Sequence, residues 1–208
     1  MGEGIDGWPD WTGETVVCVG TGPSVWKVDL APSRGRTRVF VIKGEYRHCP
    51  WADALYGLDT GWWVSARGAK DFKGLKFSPS PTAGRLFGDV RQVRLKPRAE
   101  ILTGETGVIG CGLKTGGGHS GFHVMNLGVQ FGARRLLLVG YDMTGNGRRN
   151  AWEEGVGKFN ADRVRQWREA LEDCAPQFAR LGVEVINCSP GSALQVYPQS
   201  TLEQALGG

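Results

Sequence analysis

The stretch TVVCVGTGPS, residues 15–24, decides the fold. Five β-branched or small side chains precede two glycines that flank a threonine, and a proline and a serine follow. A short β-branched run that ends in glycine is typical of a buried parallel strand. A turn after such a strand, leading into a helix N-terminus, exposes backbone N–H groups that favour phosphate. The sequence therefore predicts a nucleotide-binding βα unit near the start of the chain.

The loop at residues 20–24 fits neither of two well-known phosphate-binding signatures. A third glycine, which the dinucleotide fingerprint requires, is missing, and no Gly-Lys-Ser or Gly-Lys-Thr follows as in a Walker loop. By pattern alone, a plain strand-to-helix turn without any ligand explains the loop equally well.

The rest of the chain alternates between apolar strand-like runs and helical patterns. Further strands are predicted at 38–42, 54–58, 74–77, 90–95, 134–140 and 183–186, and helices at 60–73, 119–132 and 159–181. Pro176 favours a bend in the last of these helices. Glycine-rich loops are predicted at 103–118 and 144–157. This alternation predicts an α/β fold: a doubly wound, mostly parallel sheet with Rossmann-like topology, in a single domain over residues 1–208, with 1–13 as an N-terminal extension.

Ligands of doubly wound sheets bind beyond the carboxyl ends of the strands. Lys43 directly follows a predicted strand, so its ammonium group could offset phosphate charge, although a solvated lysine is the commoner case. Asp59 and Asp142 also follow strands, as do Ser189 and Ser192 near the end of the chain. All five are candidates for a nucleotide site.

Composition excludes several classes of protein. No apolar run approaches the roughly 18 residues of a membrane span, and no secretory signal is visible. Five cysteines without a CxxC pair favour a reducing, cytoplasmic compartment. The net charge of +4 comes from scattered basic residues, so a nucleic-acid partner is not indicated.

Three blocks of sequence resemble known proteins in order and spacing. The loop GTGPS, residues 20–24, resembles the GxGPS loop of the bacterial lipooligosaccharide sialyltransferases, which is also found in the archaeal 6-hydroxymethylpterin diphosphokinase-like family. Ser120 and Gly121, a helix, and then GARRLLLVGYDM at 132–143 resemble a second block, and NCSPGS at 187–192 resembles their closing turn. PWADALY at 50–56 is similar to uncharacterised phage and prophage proteins that have no assigned reaction.

In the sialyltransferases these blocks surround a donor in which a sugar is activated by cytidine monophosphate (CMP). The resemblance implies that Gly20, Gly22 and Ser24 face the nucleotide and that Ser120 and Gly121 face its base or ribose. It further implies that Asp142 caps the following loop and that Ser192 contacts phosphate. The candidate nucleotide-binding set is completed by Thr21, Pro23, Lys43, Asp59, His119 and Ser189.

The chain departs from the sialyltransferase pattern at several positions. Thr21 and Lys43 stand where asparagines are expected, and residues 143–186 contain no histidine to act as general base. Thr144 and Asn146 stand where tyrosines flank the phosphate. Glu153 or Glu154 could replace the missing base, although charged loop residues are mostly solvated.

Other side chains have a structural and a functional interpretation. His119 and His123 have spacing that could bind a metal, but no third ligand is apparent, so no metal site is predicted and His119 is assigned to the pocket. Trp51, Trp62 and Trp63 could stack on a base or sugar, but burial against the sheet is the commoner role.

Three functions are consistent with the sequence. The first is a glycosyltransferase-like enzyme that uses a CMP-type nucleotide sugar as its substrate, with an acceptor that the sequence does not specify. The second is a diphosphotransferase of the pterin-kinase type, which requires a Mg²⁺-binding carboxylate cluster to which Asp59 and Asp142 could contribute. The third is a non-catalytic phage-encoded nucleotide-binding or interaction protein. No bound cofactor is predicted otherwise, and an oligomer is compatible with all three.

Overall fold

The computed structural model describes residues 7–113, 118–145 and 160–207 of the 208-residue chain. The main sheet contains β1 (Thr15–Val19), β2 (Arg38–Ile42), β3 (Ala54–Tyr56), β4 (Leu75–Ser78), β5 (Val90–Gln92), β8 (Arg135–Val139) and β9 (Glu184–Asn187). A second, two-stranded sheet contains β6 (Arg94–Lys96) and β7 (Val108–Gly110). The helices are α1 (Thr60–Ser65), α2 (Pro81–Leu86), α3 (Ser120–Gln130), α4 (Ala161–Asp173), α5 (Ala175–Arg180) and α6 (Leu202–Ala205). Short 3₁₀ turns occupy Pro23–Lys27, Ala31–Ser33, Lys43–Arg47 and Arg67–Ala69.

The main sheet is parallel throughout, and its strand order reverses at one point. The order is β5-β4-β3-β2-β1-β8-β9, so the chain builds outward from β1 in one direction and then crosses to β8 on its other side. Val19 pairs with Val139, which brings the carboxyl ends of β1 and β8 level with each other. This topology confirms the doubly wound Rossmann-like fold and places a crevice at the β1–β8 boundary.

Each face of the sheet packs against its own set of helices. Val16 and Cys18 of β1 face the cluster that contains the apolar side chains of α3, α4 and α5. Val17 and Val19 face the opposite cluster, which contains residues of α1, α2 and α6. Because both faces are covered, the strands are apolar at successive positions, as the sequence indicated.

The described part of the N-terminal segment packs against the core. Trp11 is buried, and its backbone N–H donates to the Phe131 carbonyl at 2.6 Å. Its ring lies edge-on to Phe131 and Phe40, with ring centres 4.7 and 6.0 Å apart. Trp8 makes similar edge contacts with Phe77 and Phe131. The segment therefore covers the end of the aromatic cluster beneath α3.

Several boundaries differ from those predicted. The single strand expected at 90–95 is divided between β5 and β6, which belong to different sheets, and Val93 between them donates its N–H to Ser78. The loop expected at 103–118 contains β7, which pairs with β6. The helix expected at 60–73 ends at Ser65, and Gly68 nearby has a left-handed backbone with φ of 72°.

The long helix predicted at 159–181 is two helices. α4 ends at Asp173 and α5 begins at Ala175, with Pro176 in the first turn of α5, where the missing N–H of proline is tolerated. The five cysteines are all buried and unpaired. In the described ranges, no helix combines the length and the apolar character that crossing a membrane would require.

Candidate functional site

A cavity of about 490 Å³ lies beyond the carboxyl ends of β1, β2, β3 and β8. It is the site that the topology predicts, and its size is in the range of small-molecule pockets. Its walls come from the ends of these four strands, the start of α3 and one side of α4. The lining residues are Gly20, Thr21, Gly22, Pro23, Ile42, Lys43, Leu58, Asp59, Gly118, His119, Ser120, Gly121, Gly140, Tyr141, Asp142, Met143, Thr144, Gly145, Arg163, Val164 and Trp167.

The glycines of the GTGPS loop allow two loops to touch backbone to backbone. A Cβ atom on Gly20 would lie 2.7 Å from the carbonyl oxygen of Gly140, and one on Gly22 would lie 2.5 Å from the same oxygen. Gly140 itself has a left-handed φ of 76°. Any larger residue at these positions would push the β1 loop away from the β8 loop.

The backbone donors of this loop are largely occupied by the protein itself. Gly20 donates its N–H to Val139, and Gly22 donates to Gly140 at 2.9 Å. Ser24 donates its N–H to Asp142, and Pro23 has no N–H. The loop therefore does not form the expected phosphate cradle of exposed N–H groups, because three of its four N–H groups donate to residues on the β8 side. The loop instead serves as a wall of the cavity.

Asp142 ties that wall in place. Its Oδ2 accepts the Ser24 hydroxyl at 2.8 Å, and its Oδ1 accepts the Ser24 N–H at 3.1 Å. Burial raises the pKa of the Asp142 carboxyl, and the bonds from Ser24 oppose that shift. Ser24 is buried and faces Asp142 rather than the cavity. The resemblance implied that Asp142 caps the loop after it, whereas its side chain holds the loop after β1.

Lys43 and Asp59 form an ion pair across the ends of β2 and β3. Lys43 Nζ lies 2.9 Å from Asp59 Oδ2, and the Lys43 side chain is only 16% exposed. Lys43 also has a left-handed φ of 50°, a conformation that costs a non-glycine residue about 1–3 kcal/mol. Lys43 is thus held in an ion pair and is not the solvated lysine of the alternative interpretation.

His119 is the N-cap of α3 and lines the cavity. Its Nδ1 accepts the N–H of Phe122 at 3.2 Å. Its ring stacks on Trp167, with ring centres 5.1 Å apart and planes 28° from parallel. Burial, reinforced by nearby His123, lowers the pKa of His119 to about 3. The imidazole is therefore neutral around pH 7.

His123 lies behind the cavity, and both of its nitrogens are occupied. Nε2 lies 3.0 Å from the carbonyl of Cys111, which can only accept, so Nε2 carries the proton. Nδ1 then accepts the Tyr56 hydroxyl at 2.7 Å. Burial lowers the pKa of His123 to about 4. In the part of the chain that the structure describes, no group of three or more His, Cys, Asp and Glu side chains is placed to hold a metal ion.

Ser189 and Ser192 support the cavity from behind and do not line it. Ser189 Oγ accepts the Tyr141 N–H at 2.9 Å, and Ser192 Oγ donates to the Tyr141 carbonyl at 2.6 Å. Both serines are buried, where a hydroxyl needs a hydrogen-bond partner. The predicted contact between Ser192 and a phosphate is replaced by this bond to the backbone. Tyr141, held in this way, donates its own hydroxyl to Gly121 at 3.1 Å.

The predicted base residues Glu153 and Glu154 lie outside the described residues, as does Asn146. Among the described residues that line the cavity, the carboxylates are those of Asp59 and Asp142. Arg163 of α4 lines the cavity as well, as a second cation in addition to Lys43.

Sequence reasoning missed Tyr141 and Trp167 as cavity residues. Val164 and Trp167 lie on one side of α4, and both line the cavity. Apolar side chains three residues apart lie on one face of a helix whether that face covers the core or a cavity. The local sequence therefore does not show which of the two Val164 and Trp167 cover. Trp63 is buried and donates to the Gly57 carbonyl at 3.0 Å, which agrees with the structural interpretation. Trp51 and Trp62 are partly buried against the core and do not line the cavity.

No protein-family model matches the chain, and no curated protein matches it. A solved structure does: the sialyltransferase CstII from Campylobacter jejuni, in complex with a substrate analogue, cytidine-5'-monophosphate. The two folds superpose with a TM-score of 0.55 and 13% sequence identity, over 90% of this chain and 85% of that chain. The likeness gives no support to the pterin diphosphokinase-like or phage resemblances. At this identity it shows the fold, which is distantly sialyltransferase-like.

Proposed function

We propose that the chain binds a CMP-type nucleotide sugar in this cavity and transfers the sugar to an acceptor. The observation that carries the proposal is the position of the cavity, at the β1–β8 boundary and walled by the GTGPS loop. The fold likeness to a sialyltransferase solved with CMP supports the same ligand class. Fold alone does not determine a reaction, so the cavity residues have to supply the rest of the argument.

The cavity offers two cations for a phosphate. Lys43 is one, although Asp59 neutralises part of its charge. Arg163 is the other, and its guanidinium forms no ion pair with a described residue. Ser120 and Gly121, in the first turn of α3, have N–H groups that lack intrahelical partners, as at every helix start. Together these groups favour a singly or doubly charged anion.

The cavity also offers surfaces for a base or a sugar. Trp167, His119 and Tyr141 supply aromatic atoms, and Ile42, Leu58 and Val164 supply aliphatic ones. Ligand pockets of this kind combine apolar walls with a few placed polar groups. A nucleoside attached to a phosphate and a sugar has this mixed character.

The transfer step needs a base for the acceptor. The acceptor hydroxyl oxygen forms a bond to the anomeric carbon as the bond from that carbon to the CMP oxygen breaks. CMP leaves with the electron pair, and the hydroxyl proton passes to a base. Asp142 is engaged by Ser24 and Asp59 by Lys43. Glu153 or Glu154 therefore remains our proposed general base.

Nucleotide binding is the first test. Purified protein is titrated with CMP, UMP, AMP and GMP and followed by thermal shift and calorimetry. A ligand at a hundred times its Kd stabilises by about 2.7 kcal/mol, which raises the Tm of a chain of this size by about 5–10 °C. CMP is expected to give the largest shift. If no nucleotide stabilises the protein at millimolar concentration, the proposal is wrong.

Turnover separates an enzyme from a binding protein. Incubation with a CMP-sugar and a panel of glycan acceptors is expected to release CMP, and Glu153→Gln together with Glu154→Gln is expected to abolish that release. Binding without any release of CMP would favour the non-catalytic alternative. The structure offers no described carboxylate cluster for Mg²⁺ that would favour the diphosphotransferase.

A further inference from the structure

The protonation state of the His119 ring is fixed by its partner. Nδ1 accepts the Phe122 N–H, and a backbone N–H can only donate. Nδ1 therefore carries no proton, and the neutral ring holds its single proton on Nε2.

The orientation of the ring is fixed as well. One face stacks on Trp167, and the ring of Tyr141 lies perpendicular to the imidazole, with ring centres 6.4 Å apart and planes at 89°. A Cβ atom on Gly121 would lie 2.7 Å from both His119 Cε1 and Tyr141 Cε1, so glycine is needed there to leave room for both rings. Packing and the cap together allow the ring little freedom.

One polar group of this ring is left for a ligand. Nε2 makes no hydrogen bond with any described residue, while the residue lines the cavity and is partly exposed there. The ring therefore carries one N–H that no described residue accepts, on a side chain that lines the cavity.

We infer that His119 is a fixed neutral hydrogen-bond donor that recognises an acceptor atom of the bound nucleotide, and that it does not transfer a proton. This inference rests on the proposed nucleotide site. It assigns His119 a role in positioning and specificity, in contrast to the general-base role that a pocket histidine would ordinarily suggest.

Protonation would break the arrangement. A proton on Nδ1 would face the Phe122 N–H, donor against donor, and the helix cap would be lost. The groups packed around the ring are His123 of α3, Tyr141 after β8 and Trp167 of α4, and no described carboxylate pairs with it. The lowered pKa of His119, about 3, agrees with this environment.

The test is His119→Asn. Asparagine is among the best N-cap residues and can still accept the Phe122 N–H, but it removes the Nε2–H donor. We expect the variant to fold and to bind CMP about tenfold more weakly, the upper end for one neutral hydrogen bond. His48→Asn, a histidine outside the cavity, is the matched control and is expected to leave CMP affinity unchanged.

A comparison of cytidine with CMP shows whether the acceptor atom belongs to the nucleoside or to the phosphate. If His119→Asn weakens both ligands equally, the acceptor lies on the nucleoside, and if it weakens CMP alone, the acceptor is a phosphate oxygen. Equal affinity of variant and wild type for both ligands overturns the inference and leaves the proposed function standing. If the wild type binds neither ligand, the proposed function is wrong, and so is the inferred contact between His119 and the nucleotide.

Nuclear magnetic resonance of the imidazole gives a readout that needs no ligand. The His119 nitrogen shifts are expected to show the Nε2–H form, unchanged between pH 5 and 8. A titration with a midpoint near 6.5 would overturn the inference even if His119→Asn weakened CMP.

Discussion

The carboxylate of Asp142 accepts both the backbone N–H and the hydroxyl of Ser24, a residue 118 positions earlier in the chain. The two residues follow β8 and β1, the neighbouring strands at which the strand order reverses. The bonds join the two loops that form one wall of the cavity. The serine of the GTGPS loop thus binds the protein itself, and this bond shapes the wall of the cavity.

Asp142→Ala is expected to destabilise the protein and to disorder this wall. Hydrogen bonds to a charged group contribute about 1.5–3 kcal/mol each, and the buried Ser24 hydroxyl would be left without its partner. We expect the free energy of unfolding in urea to fall by about 3 kcal/mol. Ser24→Ala removes one of the two bonds and is expected to cost less, about 1.5 kcal/mol. Equal stability of both variants and the wild type would show that the bond is unimportant.

Gly22→Ala tests the close contact between the same loops. The new Cβ would lie 2.5 Å from the Gly140 carbonyl oxygen, with the Asp142 carboxylate also in its way. Overpacking of this kind costs about 1–3 kcal/mol. Gly61→Ala is the matched control, because a Cβ there meets nothing within 4 Å and the residue lies in α1. Alanine is expected to raise stability at position 61 by about 0.5–1 kcal/mol, and the same gain at position 22 would contradict our account of the loop.

The parts of this fold that local sequence determines were predictable. The strands at 15–19 and 38–42 were predicted with the correct bounds, because each is a continuous apolar run between turn residues. The helix α3 was predicted as well, since Ser120 and Gly132 mark its ends. Given the strand order, the edge of the sheet that carries the cavity followed from topology alone.

The contacts made by individual polar side chains were not predictable. The hydroxyls of Ser24, Ser189 and Ser192 bind protein groups that lie 48 or more residues away in sequence. The pattern around a serine does not show which distant group it meets. The pairing of β6 with β7 was missed for a related reason, because each is three residues long and a strand that short has no clear periodicity.

Acid is expected to destabilise the protein through His123. Its pKa in the folded protein is about 4, below the ordinary value of about 6.5, because the neutral ring is buried between Tyr56 and Cys111. The stability that comes from keeping it neutral is complete above pH 6.5 and is lost as the pH falls toward 4. By pH 5 the loss is about 2 kcal/mol. His119 and His48 also have lowered pKa values and add to the same trend.

Urea unfolding at pH 7.5 and pH 5 measures this effect. His123→Gln is expected to be less stable at pH 7.5 but to lose about 2 kcal/mol less than the wild type on going to pH 5. If the variant and the wild type lose stability in parallel, His123 is not held neutral as the hydrogen bonds indicate.

The ion pair between Lys43 and Asp59 is expected to control the affinity of the cavity for phosphate. Lys43→Met keeps the length of the side chain and removes the charge, so we expect CMP to bind about tenfold more weakly and cytidine to bind as before. Asp59→Asn keeps the shape of the carboxylate and removes its negative charge from beside the Lys43 ammonium group, so CMP is expected to bind a few times more tightly. Both effects should shrink in high salt, since the pair lies at a partly exposed edge of the cavity. Calorimetry measures the affinities of the wild type and of both variants for CMP and for cytidine, each at two salt concentrations. If Lys43→Met left CMP affinity unchanged, the phosphate would lie elsewhere in the cavity, and Arg163→Met would then be expected to weaken CMP in its place.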